Sequence, residues 1–245
     1  MSVKKFIKFL LPDFILQEYY TYKIKKQNYY GHHELDKKLK KYLNYESGFY
    51  IELGANDGIT QSNTYYFEKN MNWNGLLIEP INEKYLRCKK NRSKKNFFYN
   101  KACVGFNYKS KKIKIIYSNL MSSLNDKNIY QTVDPMEHTK KGEIYLKESE
   151  KKKEFIVEAT TLTQILDDIK APLMIDFLSL DVEGTEIEVL NGINFEKYKF
   201  KFILIESNNN DEEIIGLLKN LNYSFIEKIS KRDLLFKNIF YLNND

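Results

Sequence analysis

From residue 44 onward, short apolar runs alternate with longer segments in which apolar residues recur with helical spacing. The short runs are rich in β-branched and aromatic residues and predict strands at Phe49–Leu53, Gly75–Glu79, Asn96–Asn100, Lys112–Tyr117, Ile175–Asp181, Phe200–Glu206, Tyr223–Lys228 and Leu235–Leu242. The longer segments predict helices at Gln61–Met71, Glu83–Asn91, Leu162–Lys170, Gly184–Asn191 and Asp211–Leu221. This alternation predicts an α/β fold with a doubly wound, largely parallel sheet.

Two departures from the alternation have structural consequences. The last two predicted strands are joined only by the short segment Ile229–Asp233, so they are predicted to form an antiparallel hairpin. Between Cys103 and Thr160 the alternation stops at the polar tract Ser118–Glu154. An insertion of this length, at about 107–159, is typical of a lid, a binding loop or a disordered segment.

Charge divides the chain into two parts. The 245 residues carry 39 Lys and Arg against 33 Asp and Glu, a net charge of +6. Residues 1–43 hold ten Lys and four acids, which leaves 29 residues of each sign in the remainder. A uniformly basic surface for nucleic acid is therefore not indicated. We predict a basic, partly helical extension at 1–43 and a Rossmann-like domain at 44–245.

The apolar part of that extension, Lys4–Leu16, has two interpretations. Lys8, Pro12 and Asp13 interrupt it, so it is a poor signal peptide and is too charged to span a bilayer. It is predicted to pack its Phe and Leu face on the domain or on a second copy of the chain. The alternative is peripheral contact with an anionic membrane through residues 1–30. The predicted location is cytoplasmic, with the inner membrane face as the peripheral site.

A glycine turn after the first predicted strand indicates a nucleotide-type cofactor. Glu52 lies in that strand, and Gly54 and Gly58 follow it. Such a turn lets backbone N–H groups approach a ligand closely. The second strand ends about twenty residues later at Glu79, followed by Pro80, where a Rossmann-like unit holds ribose hydroxyls.

Charge and spacing disfavour NAD as the cofactor. NAD is the alternative, but the glycines follow a Gly-x-x-x-Gly spacing rather than Gly-x-Gly-x-x-Gly. A carboxylate before the turn would repel a pyrophosphate, whereas it would attract a positively charged sulfonium.

Carboxylates collect at the ends of two later strands. Asp181 and Glu183 follow the fourth core strand and Glu206 ends the next one. These acids are candidates for a general base, and Asp181 and Glu206 are also hard oxygen ligands for Mg²⁺. The competing interpretation is that Asp181 or Glu183 caps the helix predicted to begin near Gly184. His138, in the insertion, is a further candidate base.

Other catalytic patterns are not found in the sequence. The two cysteines, Cys88 and Cys103, form neither a disulfide framework nor a metal-ligand spacing. No nucleophile elbow with its His and Asp, no H-x-x-x-H pair and no phosphate-loop Gly-Lys-Ser/Thr occurs. Kinase and zinc-hydrolase activities therefore have little support.

Three ordered blocks resemble the FkbM-type methyltransferases, a branch of the S-adenosylmethionine-dependent enzymes. They are Ile51-Glu-Leu-Gly-Ala-Asn-Asp-Gly58 with Ser62-Asn-Thr64, Trp73-Asn-Gly-Leu-Leu-Ile-Glu-Pro80, and Phe177-Leu-Ser-Leu-Asp-Val-Glu-Gly-Thr-Glu186. Leu162–Leu166 and Ile203–Glu206 also look like elements of the family. The resemblance covers roughly 49–206 and leaves residues 1–43 outside.

The resemblance implies a class I methyltransferase fold with a seven-stranded sheet. It also implies O-methylation of a hydroxyl on a sugar or small metabolite, of the surface-glycan or natural-product type. The Asn/Asp-Pro-Pro-Tyr pattern of nucleobase N-methyltransferases is missing, and Ser179-Leu-Asp-Val182 occupies its place. Alternatives are a non-catalytic cofactor-binding or membrane-surface scaffold of the same fold, or an NAD-dependent enzyme.

The resemblance also implies positions around S-adenosylmethionine. The set expected to contact the methionine and ribose portions consists of Glu52, Gly54, Asn56, Gly58 and Asn63. Glu79 is expected to take the ribose hydroxyls, and Ala102 and Cys103 to lie near the adenine. Asp181 is expected beside the sulfonium. The resemblance assigns no base, which leaves Asp181, Glu183 and His138 as catalytic candidates.

Overall fold

A sheet of seven strands forms the centre of the computed structural model, which describes residues 13–146 and 153–244. In chain order the strands are β1 (Phe49–Leu53), β2 (Asn74–Ile78), β3 (Phe97–Tyr99), β4 (Ala102–Cys103), β5 (Lys112–Tyr117), β6 (Ser123–Leu124), β7 (Lys153–Thr160), β8 (Met174–Leu180), β9 (Lys199–Glu206), β10 (Tyr223–Lys228) and β11 (Asp233–Asn238). The large sheet has the order β10-β11-β9-β8-β1-β2-β3, and a smaller sheet has the order β4-β7-β5-β6. The predicted α/β class is confirmed.

Strand direction brings several loops to one edge of the large sheet. Neighbouring strands from β9 to β3 are parallel, whereas β11 is antiparallel to both β9 and β10. The carboxyl ends of β1, β2, β8 and β9 therefore meet at the same edge. Open α/β sheets bind their ligands at this edge.

Helices cover both faces of the large sheet. They are α1 (Asp13–Lys25), α2 (Leu35–Leu39), α3 (Tyr65–Met71), α4 (Asn82–Asn91), α5 (Pro135–Gly142), α6 (Leu162–Asp168), α7 (Glu186–Leu190) and α8 (Asp211–Asn220), with 3₁₀ turns at His32–Glu34, Asn119–Met121, Glu143–Tyr145 and Ile239–Asn244. Alternate residues of β1 enter different apolar layers, Ile51 with α6, α7 and α8, and Tyr50 with α2, α3 and α4. Burial on both faces explains the nearly continuous apolar runs of the central strands.

Two helices begin later than the sequence predicts. The helix predicted from Gln61 begins at Tyr65, because the Ser62–Thr64 segment bonds to the Glu52 carboxylate instead. The helix predicted from Gly184 begins at Glu186. Gly184 has φ +100° and Glu183 has φ +55°, and neither angle is compatible with a right-handed helix.

The insertion is folded in the part that the structure describes. β5 pairs antiparallel with β6 and β7, and their apolar residues pack on Ile81 and Ala102 beside the large sheet. The predicted polar tract therefore holds the helix α5 and the start of β7. Sequence reasoning missed β7 because Phe155 and Ile156 are exposed and charged residues flank them.

The N-terminal region combines a buried segment with the more exposed helix α1, which contacts the domain through Ile24 and a Glu18–Lys90 ion pair. Leu35, Leu39 and Leu43 are buried in the layer that contains Tyr50. Most of Lys4–Leu16, for which packing was predicted, lies outside the described residues, and α1 exposes several tyrosines (Tyr19, Tyr20 and Tyr22). None of the helices within 13–146 and 153–244 combines the length and apolar character that crossing a bilayer requires.

Candidate functional site

A cleft of about 950 Å³, part of which is open to solvent, lies at the carboxyl edge of the large sheet. The loops after β1, β2 and β8 form its floor, and the insertion contributes Ile115, Leu120 and Leu124 to its roof. Among the residues predicted for the site, the cleft is lined by Glu52, Gly54, Asn56, Glu79, Ala102, Cys103, Asp181 and Glu183.

The Gly54 turn brings the ends of β1 and β8 together. Gly54 has φ +76°, and a Cβ atom there would lie 1.9 Å from the carbonyl oxygen of Asp181. Any side chain would therefore push the two strand ends apart. The N–H groups of Gly54 and Ala55 both donate to the Ile78 carbonyl at 3.1 Å, which fixes the turn against β2 as well.

Glu79 is arranged to accept two hydroxyl groups. One carboxylate oxygen accepts from the Asn56 N–H at 2.9 Å, and the other accepts from the Ile81 N–H at 2.8 Å. A carboxylate oxygen has further acceptor capacity, so both remain able to bind a donor in the cleft. Burial raises the pKa of Glu79 to about 7, despite the opposing effect of these two N–H groups.

Glu52 lines the cleft, but its carboxylate is held by the protein. It accepts from Ser62 Oγ at 2.9 Å and Thr64 Oγ1 at 2.6 Å, and pairs with Arg92 Nη1 at 3.2 Å. The Arg92 side chain has no solvent exposure and also contacts Glu68 at 2.8 Å. This buried network holds the loop after β1 in place. Sequence reasoning missed Arg92, which lies in a charged stretch that resembles an exposed helix end.

Two residues predicted to bind the cofactor lie outside the cleft lining. The Gly58 carbonyl accepts from Arg92 Nη1 at 2.9 Å, and a Cβ atom at Gly58 would lie 2.8 Å from Arg92 Cγ. Asn63 donates its backbone N–H to Glu52 at 2.9 Å and its side-chain amide to Ser179 Oγ at 3.1 Å. In this arrangement both residues support the loop, and neither lines the cavity.

Part of the cleft lining is apolar. Ala102 and Cys103 lie there together with Ile81 and Ile115. Burial raises the pKa of the Cys103 thiol to about 12, so it is a neutral contact rather than a nucleophile. An apolar slot of this kind suits a flat aromatic ring.

Three acids form a cluster, of which Asp181 and Glu183 line the cleft and Glu206 does not. Asp181, Glu183 and Glu206 each place a carboxylate oxygen within 4.8 Å of the others. Desolvation, together with the charges of Glu183 and Glu186, raises the pKa of Asp181 well above its usual range. Water still reaches Asp181 through the cleft, so repulsion from the neighbouring carboxylates is the larger cause of this rise.

Glu206 lies close to Asp181, with carboxylate oxygens of the two residues within 4.8 Å of each other. Desolvation and the Asp181 charge raise the pKa of Glu206 as well. Arg232 Nη1 lies 3.0 Å from Glu206 Oε1 and supplies part of the balancing charge. Two carboxylates this close favour a shared proton, because both cannot be charged without strong repulsion.

Neither Asp181 nor Glu183 caps the following helix, as the competing interpretation required. That helix has no side-chain cap, and the Glu186 carboxylate instead accepts from the Gly184 N–H at 3.0 Å and the Val182 N–H at 3.2 Å in the loop before it. The carboxylates of Asp181 and Glu183 are thereby left available to the site.

His138 contacts the site through Glu183. It lies on α5, is 6% exposed, and places Nε2 2.7 Å from Glu183 Oε2. The Glu183 carbonyl also accepts from Ser123 Oγ at 3.1 Å. His138 does not line the cleft, so the structure places it as a support for Glu183 and not as a group facing the cavity.

Comparison with known families identifies the chain. The family model described as the methyltransferase FkbM domain matches residues 52–225, which include all three blocks of the resemblance except Ile51 at the start of the first. The chain belongs to the FkbM methyltransferase family. No curated protein matches it in sequence. Membership confirms the resemblance and supports methyltransferase activity in general, for which S-adenosylmethionine is the family's usual methyl donor.

The cleft of this FkbM methyltransferase fits that cofactor. Glu79 offers two acceptor atoms where a ribose diol would bind, and Ala102 and Cys103 form the apolar slot next to it. Asp181 places negative charge in the same cleft, where it would stabilise a sulfonium. The donor set therefore matches the three chemically different parts of S-adenosylmethionine.

Proposed function

We propose that the protein is an S-adenosylmethionine-dependent O-methyltransferase with the class I Rossmann-like fold. The observation that carries the proposal is that one cleft is lined both by the diol-accepting Glu79 and by Asp181, a carboxylate oxygen of which lies within 4.8 Å of one of Glu206. The sheet order and the single antiparallel strand β11 support the fold assignment.

Glu79, Gly54 and Asn56 are proposed to bind and orient the cofactor. Glu79 accepts the two ribose hydroxyls, and the Gly54 turn allows the methionine portion to approach the backbone. Asn56 has φ +48° and donates its N–H to Glu79, so it positions that carboxylate. When bound, S-adenosylmethionine supplies an electrophilic methyl group for in-line displacement.

Asp181 and Glu206 are proposed to accept the proton of the acceptor hydroxyl. An alcohol is a poor nucleophile until its proton moves to a base. Asp181 faces the cleft and shares a proton position with Glu206, so the pair takes up a proton readily once it is singly ionised. Glu183, held by His138, keeps the acceptor oxygen in line by hydrogen bonding.

The same carboxylates provide a second mechanism. Asp181 and Glu206 are proposed ligands for Mg²⁺, since hard oxygen atoms within 4.8 Å of one another suit such an ion. A cation there would lower the pKa of the acceptor hydroxyl. Base catalysis by Asp181 does not need the ion, so the two mechanisms differ in their response to a chelator.

The acceptor is proposed to be a hydroxyl on a sugar or other small metabolite. Support comes from the resemblance and from the acidic acceptor end of the cleft, which suits hydrogen bonding to hydroxyl groups. An acidic end would repel phosphates and therefore disfavours nucleic acid.

Calorimetry and methyl transfer test the proposal. We expect S-adenosylhomocysteine to bind and NAD to give no heat. We also expect radiolabel from S-adenosyl-L-[methyl-³H]methionine to enter glycoside acceptors. Turnover that persists in EDTA supports the base mechanism, and turnover restored only by Mg²⁺ supports the cation. Failure of S-adenosylhomocysteine to bind would falsify the cofactor assignment, and binding without transfer to any acceptor would favour a non-catalytic scaffold.

A further inference from the structure

Helix α1 and the carboxyl-terminal ends of α3 and α4 meet on one side of the domain. Glu18 of α1 pairs with Lys90 Nζ of α4 at 2.5 Å, and Lys69 Nζ of α3 donates to the Lys25 carbonyl at 2.9 Å. Ile24 packs against a buried apolar cluster that includes the first residue of α3. These contacts join the three helices into a single surface, which we call the α1 face. It consists of the exposed residues within 15–26, 69–72 and 86–95.

The exposed charges of the α1 face are lysines. Its three ranges contain ten Lys and Arg and a single acid, Glu18. Glu18 is neutralised by Lys90, Arg92 is buried beside its own carboxylates, and Arg87 pairs with Glu83. Seven lysines carry the remaining positive charge, and six of them are exposed, namely Lys23, Lys26, Lys69, Lys89, Lys94 and Lys95.

An exposed apolar stripe runs along the outer side of α1. Ile15, Tyr19 and Tyr22 recur at helical spacing and are 39%, 45% and 56% exposed. Ile24, on the other side of the helix, packs on the domain. Leu86 of α4, one turn from the ion pair with α1, is 55% exposed. Large apolar side chains grouped on a surface are typical of a site that binds a partner.

Lysines and tyrosines are interleaved along this stripe. Lys23 Nζ lies 4.7 Å from the centroid of the Tyr19 ring, and Lys26 Nζ lies 4.4 Å from that of Tyr22. Tyrosine rings are enriched at the level of lipid headgroups, and lysines bind anionic headgroups. The α1 face thus combines the two kinds of side chain that a helix lying on a membrane presents.

The α1 face lies away from the cleft. α3 joins β1 to β2 and α4 joins β2 to β3, and each helix connects parallel strands. Both helices therefore run back from the carboxyl edge of the sheet and end at the amino edge, which places Lys69, Lys89, Lys94 and Lys95 near that edge. A partner that covers this face leaves the cleft at the carboxyl edge open.

We propose that the α1 face binds the surface of a membrane rich in anionic lipids. The proposal does not depend on the proposed methyltransferase function. Charge complementarity supports it, since the excess positive charge of the face matches acidic headgroups. Residues 4–11, which precede α1 in the chain, add three lysines and five apolar residues. Nucleic acid would engage the lysines but leave the stripe of Ile15, Tyr19 and Tyr22 in water, so a lipid surface fits the face better.

Flotation of the full chain with vesicles tests the proposal. One set of vesicles contains equal parts of phosphatidylcholine and phosphatidylserine, and the other contains phosphatidylcholine alone. We expect the wild type to float with the anionic vesicles only, and to be released by salt.

Two triple variants with the same loss of charge locate the binding surface. Lys26→Gln/Lys89→Gln/Lys94→Gln should lose at least tenfold in affinity for the anionic vesicles, because each lysine near such a surface contributes roughly fivefold. The control, Lys109→Gln/Lys127→Gln/Lys219→Gln, changes exposed lysines of the insertion and of α8, which packs on the opposite face of the sheet, and should bind as the wild type does.

Tyr19→Ser/Tyr22→Ser should also weaken binding to the anionic vesicles, because it removes apolar contacts and leaves every lysine in place. The melting temperature and the affinity for S-adenosylhomocysteine should match the wild type in all three variants, which shows that each variant is folded.

The outcomes separate a membrane from other partners. A wild-type chain that does not float with anionic vesicles would overturn the proposal. Equal losses in the two triple variants would show that net charge, and not the α1 face, determines binding. Binding to a duplex RNA of mixed sequence that excludes vesicle binding would identify a nucleic-acid surface instead. Each result is read without methyl transfer, so it leaves the proposed function to its own test.

Discussion

Two groups of carboxylates in this protein have opposite electrostatic environments. Glu52 and Glu68 surround the buried guanidinium of Arg92, and hydroxyl and amide groups occupy the Glu52 oxygens. Asp181 and Glu206 instead face each other, and one Glu206 oxygen has no partner. The charges of the first group are neutralised by Arg92 and its oxygens are hydrogen-bonded, whereas the carboxyls of the second group have raised pKa values.

The difference indicates which acids support the fold and which are proposed to do chemistry. A satisfied buried network rigidifies the loop that carries it. Two carboxylates as close as those of Asp181 and Glu206 repel each other, and a bound proton or cation reduces this repulsion. The predictions below test this division, from the largest expected effect to the smallest.

Asp181→Asn should abolish most turnover while leaving the fold intact. The amide cannot accept the proton, and loss of a general base costs roughly 10²–10⁴-fold in rate. Affinity for S-adenosylhomocysteine should stay within a few fold, since Glu79 carries that interaction. Single-turnover methyl transfer and calorimetry on the same preparation measure both quantities. A variant that transfers methyl groups at the wild-type rate would show that the chemistry lies elsewhere.

Arg92→Met should destabilise the protein more than any change in the acid cluster. It leaves Glu52 and Glu68 buried without a counter-charge, which costs about 3–5 kcal/mol in the free energy of unfolding. Urea denaturation measures the loss. Arg232→Met is the matched control. Its partner Glu206 already lies close to other carboxylates, and the Arg232 side chain is 43% exposed. Equal destabilisation by the two substitutions would remove the distinction between the groups.

Glu79→Gln should weaken cofactor binding by roughly ten- to a hundredfold. Losing charge-assisted hydrogen bonds costs about 1.5–3 kcal/mol. Turnover at saturating S-adenosylmethionine should fall much less. Calorimetry at pH 8, where the wild-type carboxyl is ionised, gives the clearest comparison, and unchanged affinity there would exclude Glu79 from the ribose site.

Glu79 also predicts a pH dependence of stability. Its pKa rises from an ordinary value of 4.5 to about 7 on folding, so the folded state holds its proton more tightly. The contribution of Glu79 to the free energy of unfolding is therefore full below about pH 4.5 and is lost as pH rises to about 7. Across this window the wild type should lose more stability than Glu79→Gln, in which only the other carboxyls with raised pKa values, such as Glu186, Asp181 and Glu206, still contribute.

His138→Phe should have the smallest effect. It removes the contact to Glu183 while keeping a buried ring, and a hydrogen bond of this type contributes about 0.5–1.5 kcal/mol. We expect up to about a tenfold decrease in kcat, with cofactor affinity unchanged. A decrease in kcat as large as that of Asp181→Asn would show that His138 is itself a catalytic group.

The chain's local patterns determined much of the fold and one end of the site. Strand β1, the glycine turn and Glu79 were all predictable, because short apolar runs and glycine turns depend on neighbouring residues. The positions of Gly54 and Glu79 at the cleft agree with that prediction. The starts of helices were harder to predict where hydrogen bonds to side chains replace those of the helix backbone. At Ser62–Thr64 such bonds to Glu52 make α3 begin later than predicted.

Tertiary structure alone decided which polar residues meet. Arg92 reaches Glu52 from forty residues away, and nothing in its surrounding lysines distinguishes it from a solvated charge. His138 meets Glu183 across 45 residues. Periodicity in a sequence records which face of an element is buried, whereas pairing of distant charges depends on how elements pack. How the elements pack therefore decides whether a carboxylate is neutralised in a structural network or remains reactive.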